Sequence, residues 1–187
     1  MRQYHNNSKN DAEMTQILEN DSLRLRAPEP YDIDILMKWE NDTSLWDYGD
    51  TLTPYSRHQI ANFIKNYDGD IFSSKQLRFI IEEHISQNVV GTIDLYDFDF
   101  FNSRVAVGIL IEKNYRQLGY ATQALSLTVK YVEEFLGIHQ CYAIIPEFNT
   151  ASINLFESCN FKSSGKLYHW FMRNKSWHDA LIMQHIK

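Results

Sequence analysis

The 187-residue sequence predicts one domain built on a mixed α/β sheet of about seven strands flanked by four helices. Three observations carry that expectation. Three strand-like segments, 77–83, 89–98 and 104–111, follow one another across short polar connections, the pattern of an antiparallel meander. After them the periodicity switches to helix, strand, helix and a last pair of strands. From Asp21 onward there is no repeat and no low-complexity stretch, so the only composition break lies near the N-terminus.

The elements follow in order. Residues 1–20 are polar and rich in Asn and Gln, with at most a short helical turn around Ala12 to Leu18. They read as an arm, and 21–187 as the domain. Leu23, Arg24, Leu25 and Arg26 alternate apolar and basic as a half-buried strand does, and Pro28 to Pro30 closes it. Asp32, Ile33, Ile35, Leu36, Met37 and Trp39 make a first helix starting near Pro30. A second spans 56–67, with Ile60, Phe63 and Ile64 on one face. Beyond the meander, Ala121, Ala124, Leu125, Val132, Phe135 and Leu136 keep helical spacing up to a stop at Gly137. Residues 141–145 form a short apolar strand ended by Pro146, and 152–158 a helix. Residues 168–172 and 180–186 make a hairpin across Asn174-Lys175.

Composition excludes several functions. Hydrophobic residues at 44% and charged residues at 22% are ordinary globular usage, and a chain of this length buries a substantial core. A formal net charge of −6 with pI near 5.6 argues against a nucleic-acid-binding face and favours a cationic partner. No apolar run approaches the roughly 18 residues of a membrane helix, and the polar start has no signal-peptide stretch, so no membrane partner is expected and the cytoplasm is the expected location. Cys141 and Cys159 lack CxxC spacing and a nearby His in a ligand pattern. They read as reduced core thiols, and no metal is expected.

Chemistry concentrates where strand 104–111 meets the third helix, in Glu112-Lys113-Asn114-Tyr115-Arg116-Gln117-Leu118-Gly119-Tyr120-Ala121. A helix start carries unpaired N–H groups and the positive end of the dipole, so it binds an anion without a side chain. Small residues at 119 and 121 let a phosphate approach the backbone, and Arg116 adds a forked cation. On these residues alone, a turn glycine and a solvated arginine are the stronger account. The segment lacks the G-K-[ST] ending of a triphosphate loop, and there is no G-x-G-x-x-G.

Arg116-Gln117-Leu118-Gly119-Tyr120-Ala121 resembles the Q/R-x-x-G-x-G/A signature of the GNAT acetyltransferases, where it wraps the pyrophosphate of coenzyme A. Asn149-Thr150-Ala151-Ser152 with Phe161, and Gly165-Lys166-Leu167-Tyr168-His169 followed by Asn174 and Asp179, are similar to segments of the branch holding ribosomal-protein N-terminal and spermidine N-acetyltransferases. The resemblance spans about 23–187. It implies the acyl-CoA N-acyltransferase fold, acetyl-CoA as cosubstrate, and direct acetyl transfer to a primary amine, on a small polyamine-like molecule or a protein N-terminus. It allows a homo-oligomer. Backbone groups of Leu110, Ile111 and Glu112 would pair with the pantetheine arm where the fourth and fifth strands splay. Asn149 would hold that arm near the thioester, and Ser152 would cap the following helix beside it.

The sequence also departs from that pattern. Related enzymes often place a tyrosine at the cofactor position held by Phe156, where its hydroxyl protonates the departing thiolate. Phe156 cannot do so. Cys159-Asn160 replaces a small residue and glycine, and no acid stands in Arg104-Val105-Ala106-Val107 where spermidine enzymes carry a glutamate. Asp94 and His169 are the remaining acid–base candidates; a structural account stands level with the functional one for Asp94 and ahead of it for His169. Asp94 and Asp97 are expected to point to opposite faces of the strand. These departures also admit a catalytically weak coenzyme A-binding sensor or scaffold.

Overall fold

The computed structural model describes residues 17–49, 51–67 and 70–187. In chain order its elements are β1 (Leu23–Arg26), α1 (Ile33–Glu40), α2 (Arg57–Lys65), α3 (Ile71–Ser74), β2 (Gln76–Glu83), β3 (Val89–Asp99), β4 (Arg104–Ile111), α4 (Tyr120–Lys130), β5 (Gln140–Pro146), α5 (Thr150–Ser158), β6 (Lys162–Arg173) and β7 (Ser176–Ile186). The strands form one seven-stranded sheet in the order β1-β2-β3-β4-β5-β7-β6. Neighbours pair antiparallel except β4 with β5, which are parallel. The mixed sheet expected from the sequence is the observed one.

Strand alternation divides the core between two helix layers. On β2, Leu77, Phe79 and Ile81 face α4 and α5 with Leu125, Val129, Val132 and Phe156. Ile80, one residue out of phase, faces α1 and α2 and packs with Leu36, Trp39, Ile60 and Ile64. Both patterns follow from side chains alternating across a strand and recurring every three to four positions on a helix. Ser56 starts α2 with a reciprocal cap to Gln59. The α4 helix widens into a π turn at Tyr131–Phe135 and ends at Gly137, whose φ of +66° suits a residue without Cβ.

The α1-facing side of the sheet also buries charge. Arg26 donates to both oxygens of Asp32 at 2.8 and 2.9 Å and also binds Glu82, with Asp32 and Glu82 only 1% and 4% exposed. Burial alone would raise the Glu82 carboxyl, but hydrogen bonds from Arg26 and Arg24 outweigh it and hold the group below its ordinary range. A buried carboxylate survives only when its lone pairs are engaged in this way.

Besides the starts of α5 and β7, at Thr150 and Ser176 where 152 and 180 were expected, the structure departs from the sequence expectations at four places. Residues 17–20, grouped by composition with the arm, turn back on β1: Leu25 N–H donates to Leu18 O at 2.7 Å and Asn20 N–H to Leu23 O at 2.9 Å. The rest of the expected helical turn at Ala12 to Leu18 lies outside the described residues. The extra one-turn helix α3 is nucleated by Asp70, whose carboxylate accepts from the N–H groups of Phe72 and Ser73. β6 begins at Lys162, six residues before the expected 168, because as the outermost strand it carries exposed polar side chains and shows no apolar alternation. The register breaks between Tyr96 and Asp99, with Asp97 at φ +52°. Simple alternation therefore does not govern the Asp94–Asp97 pair.

Cys141 and Cys159 are free and buried. Burial, reinforced by nearby Glu133, pushes the Cys141 thiol up to about 12, far from a reactive thiolate. Among the described residues no group of three or more His, Cys, Asp or Glu is placed to hold a metal ion, and no helix is long and apolar enough to cross a membrane.

Candidate functional site

The central feature is a gap in the sheet. β4 and β5 pair only where Arg104, Val105 and Ala106 lie beside Gln140, Cys141 and Tyr142. Beyond that point β4 follows β3 to Ile111, and β5 follows β7 to Pro146. The two strands part, leaving one edge of each without a ladder partner. Glu112 N–H donates to Val90 O at 2.9 Å. Antiparallel alternation then also turns the polar groups of Leu110 toward β3, and those of Ile109 and Ile111 toward the gap. Of the three residues whose backbone was expected to meet a cofactor arm, Ile111 alone faces the gap. Ile109 is the one missed, although strand alternation could have found it.

The expected anion loop closes the mouth of this gap. After a 3-10 turn at Lys113–Tyr115 the chain extends through Arg116. Gln117 and Gly119 then take left-handed φ values of +64° and +83°. A Cβ at Gly119 would meet only Gln123 Nε2, at 3.8 Å, so conformation and not crowding requires glycine there. No side chain caps the start of α4. Its first-turn N–H groups are thus available to an anion. Arg116 Nε donates to Ile111 O at 3.0 Å, which fixes the side chain against the end of β4 and leaves its two terminal nitrogens without a partner among the described residues. Gln117 and Leu118 are exposed, whereas Tyr120 and Ala121 are half-buried. Tyr120 packs edge-on to Tyr115, and its hydroxyl bonds the Glu83 carboxylate.

The opposite lip is the β5–α5 corner. Asn149, and not Ser152, caps α5: its Oδ1 accepts from Ser152 N–H at 3.2 Å. The helix starts two residues earlier than expected, which puts Ser152 at the third helical position, where its N–H is the orphan donor. The Asn149 cap uses the oxygen and leaves Nδ2 without a partner among the described residues. Phe156 is 3% exposed and meets Phe161 edge to face at 4.8 Å, so it lies in the core behind the gap.

The acid–base candidates are engaged elsewhere. Asp94 accepts two bonds from Arg78, at 2.7 and 3.1 Å, and Arg78 also reaches Glu40 at 2.6 Å. This clamp favours the structural account of Asp94. His169 sits at φ +52° in an irregular part of β6, exposed, with its N–H donated to Asp179 Oδ1 at 2.9 Å and its ring 6.3 Å from Trp177. The structure does not bring His169 and Asp94 together. The Glu112 side chain, unremarked in the sequence, accepts from Trp39 Nε1 at 3.0 Å and from Lys38, and so joins α1 to the end of β4.

Comparison with known proteins gives a consistent picture. The profile of a family described as acetyltransferase (GNAT) domain matches residues 22–162. A spermidine N(1)-acetyltransferase of Escherichia coli K12 is 26% identical over 162 residues, covering 87% of this chain and 84% of that protein. The crystal structure of a spermidine N-acetyltransferase from Vibrio cholerae in complex with CoA and spermine superposes with a TM-score of 0.78 at 23% identity, over 89% of this chain and 96% of that one. A GNAT-family acetyltransferase from Bacillus anthracis superposes with a TM-score of 0.76 at 18% identity, over 90% and 97% of the two chains.

Proposed function

Since this chain belongs to the acetyltransferase (GNAT) domain family, we propose that it transfers the acetyl group of acetyl-CoA directly to a primary amine of a small polyamine-like acceptor. The observation that carries the site assignment is the parting of β4 from β5 beside an uncapped helix start. The residues fit a pyrophosphate with an amide-bearing arm: free N–H groups and Arg116 for the anion, and strand-edge groups of Ile109 and Ile111 for the amides. The names of the Escherichia coli and Vibrio cholerae relatives support a polyamine-like acceptor, as does the chain's net charge of −6.

Acetyl-CoA supplies a thioester, whose carbonyl carbon the amine attacks while the carbonyl oxygen gains charge. The C–S bond then breaks, and the proton lost by the nitrogen balances the released thiolate, which leaves as free thiol. The chain's task is to hold the two partners in line and to stabilise that charge. Asn149 Nδ2 and the strand-edge N–H groups are the donors we assign to the gap. No covalent nucleophile is needed, and the buried Cys141 is unsuited to be one. The test is turnover of acetyl-CoA against a panel of polyamines, amino sugars and short peptides, read as free thiol. Release with polyamines above the other classes is the expected result. Thiol release with peptides alone overturns the acceptor assignment, and coenzyme A binding without turnover of any amine overturns the enzyme assignment for this chain.

A further inference from the structure

The long connection between α1 and α2 is tied down from a distance by one residue. Arg173, at the end of β6, donates from Nε to Asp47 O at 3.1 Å, from one terminal nitrogen to Gly49 O at 2.7 Å, and from the other to Met172 O at 2.9 Å. Its guanidinium lies over the Phe171 ring, 5.3 Å from the centroid. All three nitrogens donate to main-chain carbonyls, two of them on a segment more than 120 residues away in sequence, and Nε also lies 4.0 Å from the Asp47 carboxylate. The fork and the flat stacking face are properties that a lysine lacks.

The segment so held touches the candidate site. Tyr48, between the two carbonyls, packs on Phe148 at 5.9 Å, and Phe148 meets His178 edge-on at 5.1 Å. Phe148 directly precedes Asn149, the cap of α5 and one lip of the gap. The chain of contact thus runs from Arg173 through the 42–49 segment and two rings to the corner that carries Asn149. Phe148 and Tyr48 are 41% and 51% exposed, so they form an open wall and not core. The phosphate loop at Arg116 to Ala121 shares none of these hydrogen bonds or ring contacts, although the Arg116 charge acts on Asp42 of the same segment.

We propose that Arg173 is a positioning residue for the amine: by clamping the 42–49 segment against the β6–β7 hairpin, it sets the aromatic wall of Tyr48 and Phe148 beside Asn149, on the acceptor side of the gap. This rests on the N-acetyltransferase reading above. Arg173→Ala is expected to raise the KM for the best amine about tenfold, the net effect of losing the two hydrogen bonds that hold the segment. The KM for acetyl-CoA is expected to change less than twofold.

Arg173→Lys keeps the charge without the fork, so it should recover only a minor part of the loss. Hydrogen exchange over 42–49 should accelerate in both variants while β4 and α4 stay as in wild type. Unchanged exchange over 42–49 overturns the clamp, whatever the kinetics show. Equal rises in both KM values overturn the assignment to the amine side, and full activity of Arg173→Lys shows that charge alone matters, which also overturns it. If Arg173→Ala does not fold, Arg173→Lys carries the test on the same readouts. Wild type that binds acetyl-CoA but turns over no amine sinks the N-acetyltransferase reading and the amine half of this proposal, with the exchange data deciding the clamp itself.

Discussion

The two ends of one strand pair behave oppositely in this protein. At the closed end, β4 and β5 form a parallel ladder through Val105, Ala106 and Cys141, all at most 1% exposed. Ser103 extends the closure by accepting from the N–H groups of His139 and Gln140 at 3.1 Å each. At the open end each strand keeps its outer partner and loses its inner one. The open edges carry backbone groups without a strand partner, which water or a ligand with its own amides can engage. Among the described residues the chain supplies two substitutes, Arg116 Nε on Ile111 O and Asn149 N–H on Pro146 O. We therefore expect the closed end to govern stability and the open end to govern binding, and mutations should separate the two.

The largest separation is expected at the open end. Arg116→Ala combined with Gly119→Asp removes a cation and places an anion where the pyrophosphate is assigned. Loss of a charge partner in a binding site costs about 2 to 5 kcal/mol, so the Kd for coenzyme A should rise at least about thirtyfold. Calorimetry measures the affinity, and circular dichroism checks that the fold survives. Unchanged affinity would remove the phosphate assignment from this loop.

The closed end gives the converse. Val105 is fully buried, and Val105→Ala should cost about 2 kcal/mol through lost burial and the cavity left behind. Chemical denaturation measures that loss, and coenzyme A affinity should stay within about twofold of wild type. A large fall in affinity at unchanged stability would mean that the two ends are not separable.

Much of this was legible in the sequence, because most of the fold is written in periodicity. β1 and β4 begin and end where alternation of Leu23 and Leu25, and the apolar run from Val105 to Ile111, placed them. What stayed hidden depends on pairing between distant segments. Nothing local says that β5 leaves β4 after Tyr142, that Glu112 receives Trp39, or that Arg173 reaches back to residues 47 and 49. The polar start of β6 was invisible for a different reason: an edge strand need not alternate, since neither exposure nor pairing constrains its first residues. In the site, the Gln117 to Gly119 turn was legible from a single glycine in the motif, whereas the Asn149 cap was assigned to Ser152. Both residue types cap helices, and only the helix start decides between them.

That cap supplies the third test, of smaller effect. Asn149→Ala removes both the cap oxygen and the amide nitrogen, and should cost about 1 kcal/mol of stability together with a loss of turnover. Asn149→Ser keeps a capping oxygen and loses only the nitrogen. If Nδ2 serves the gap, the serine variant should regain stability but not rate, as measured by thermal melting beside steady-state kinetics. Recovery of both would make Asn149 a structural cap and nothing more.

The smallest effect is expected at Phe156, which lies between the two regimes. Its ring is buried against Phe161 as closed-end residues are, yet α5 begins at the open lip. Phe156→Tyr adds one hydroxyl. If that oxygen reaches the gap, it can protonate the departing thiolate, a role whose general range is about 10²–10⁴-fold. Coenzyme A thiolate leaves readily unaided, so the expected rise in maximal rate is below about tenfold. If the oxygen instead stays against Phe161, it is a buried hydroxyl without a partner and should cost about 1 to 3 kcal/mol. Rate and melting temperature thus move in ways that identify where the hydroxyl lies. A faster enzyme of nearly unchanged stability places position 156 on the open side, and a slower, less stable one places it with the core. A flat rate needs a burst-phase measurement, because product release can mask a faster chemical step. With no burst and no gain across pH, the thiolate is receiving its proton from another source, and position 156 belongs to the packing of α5 and not to the reaction.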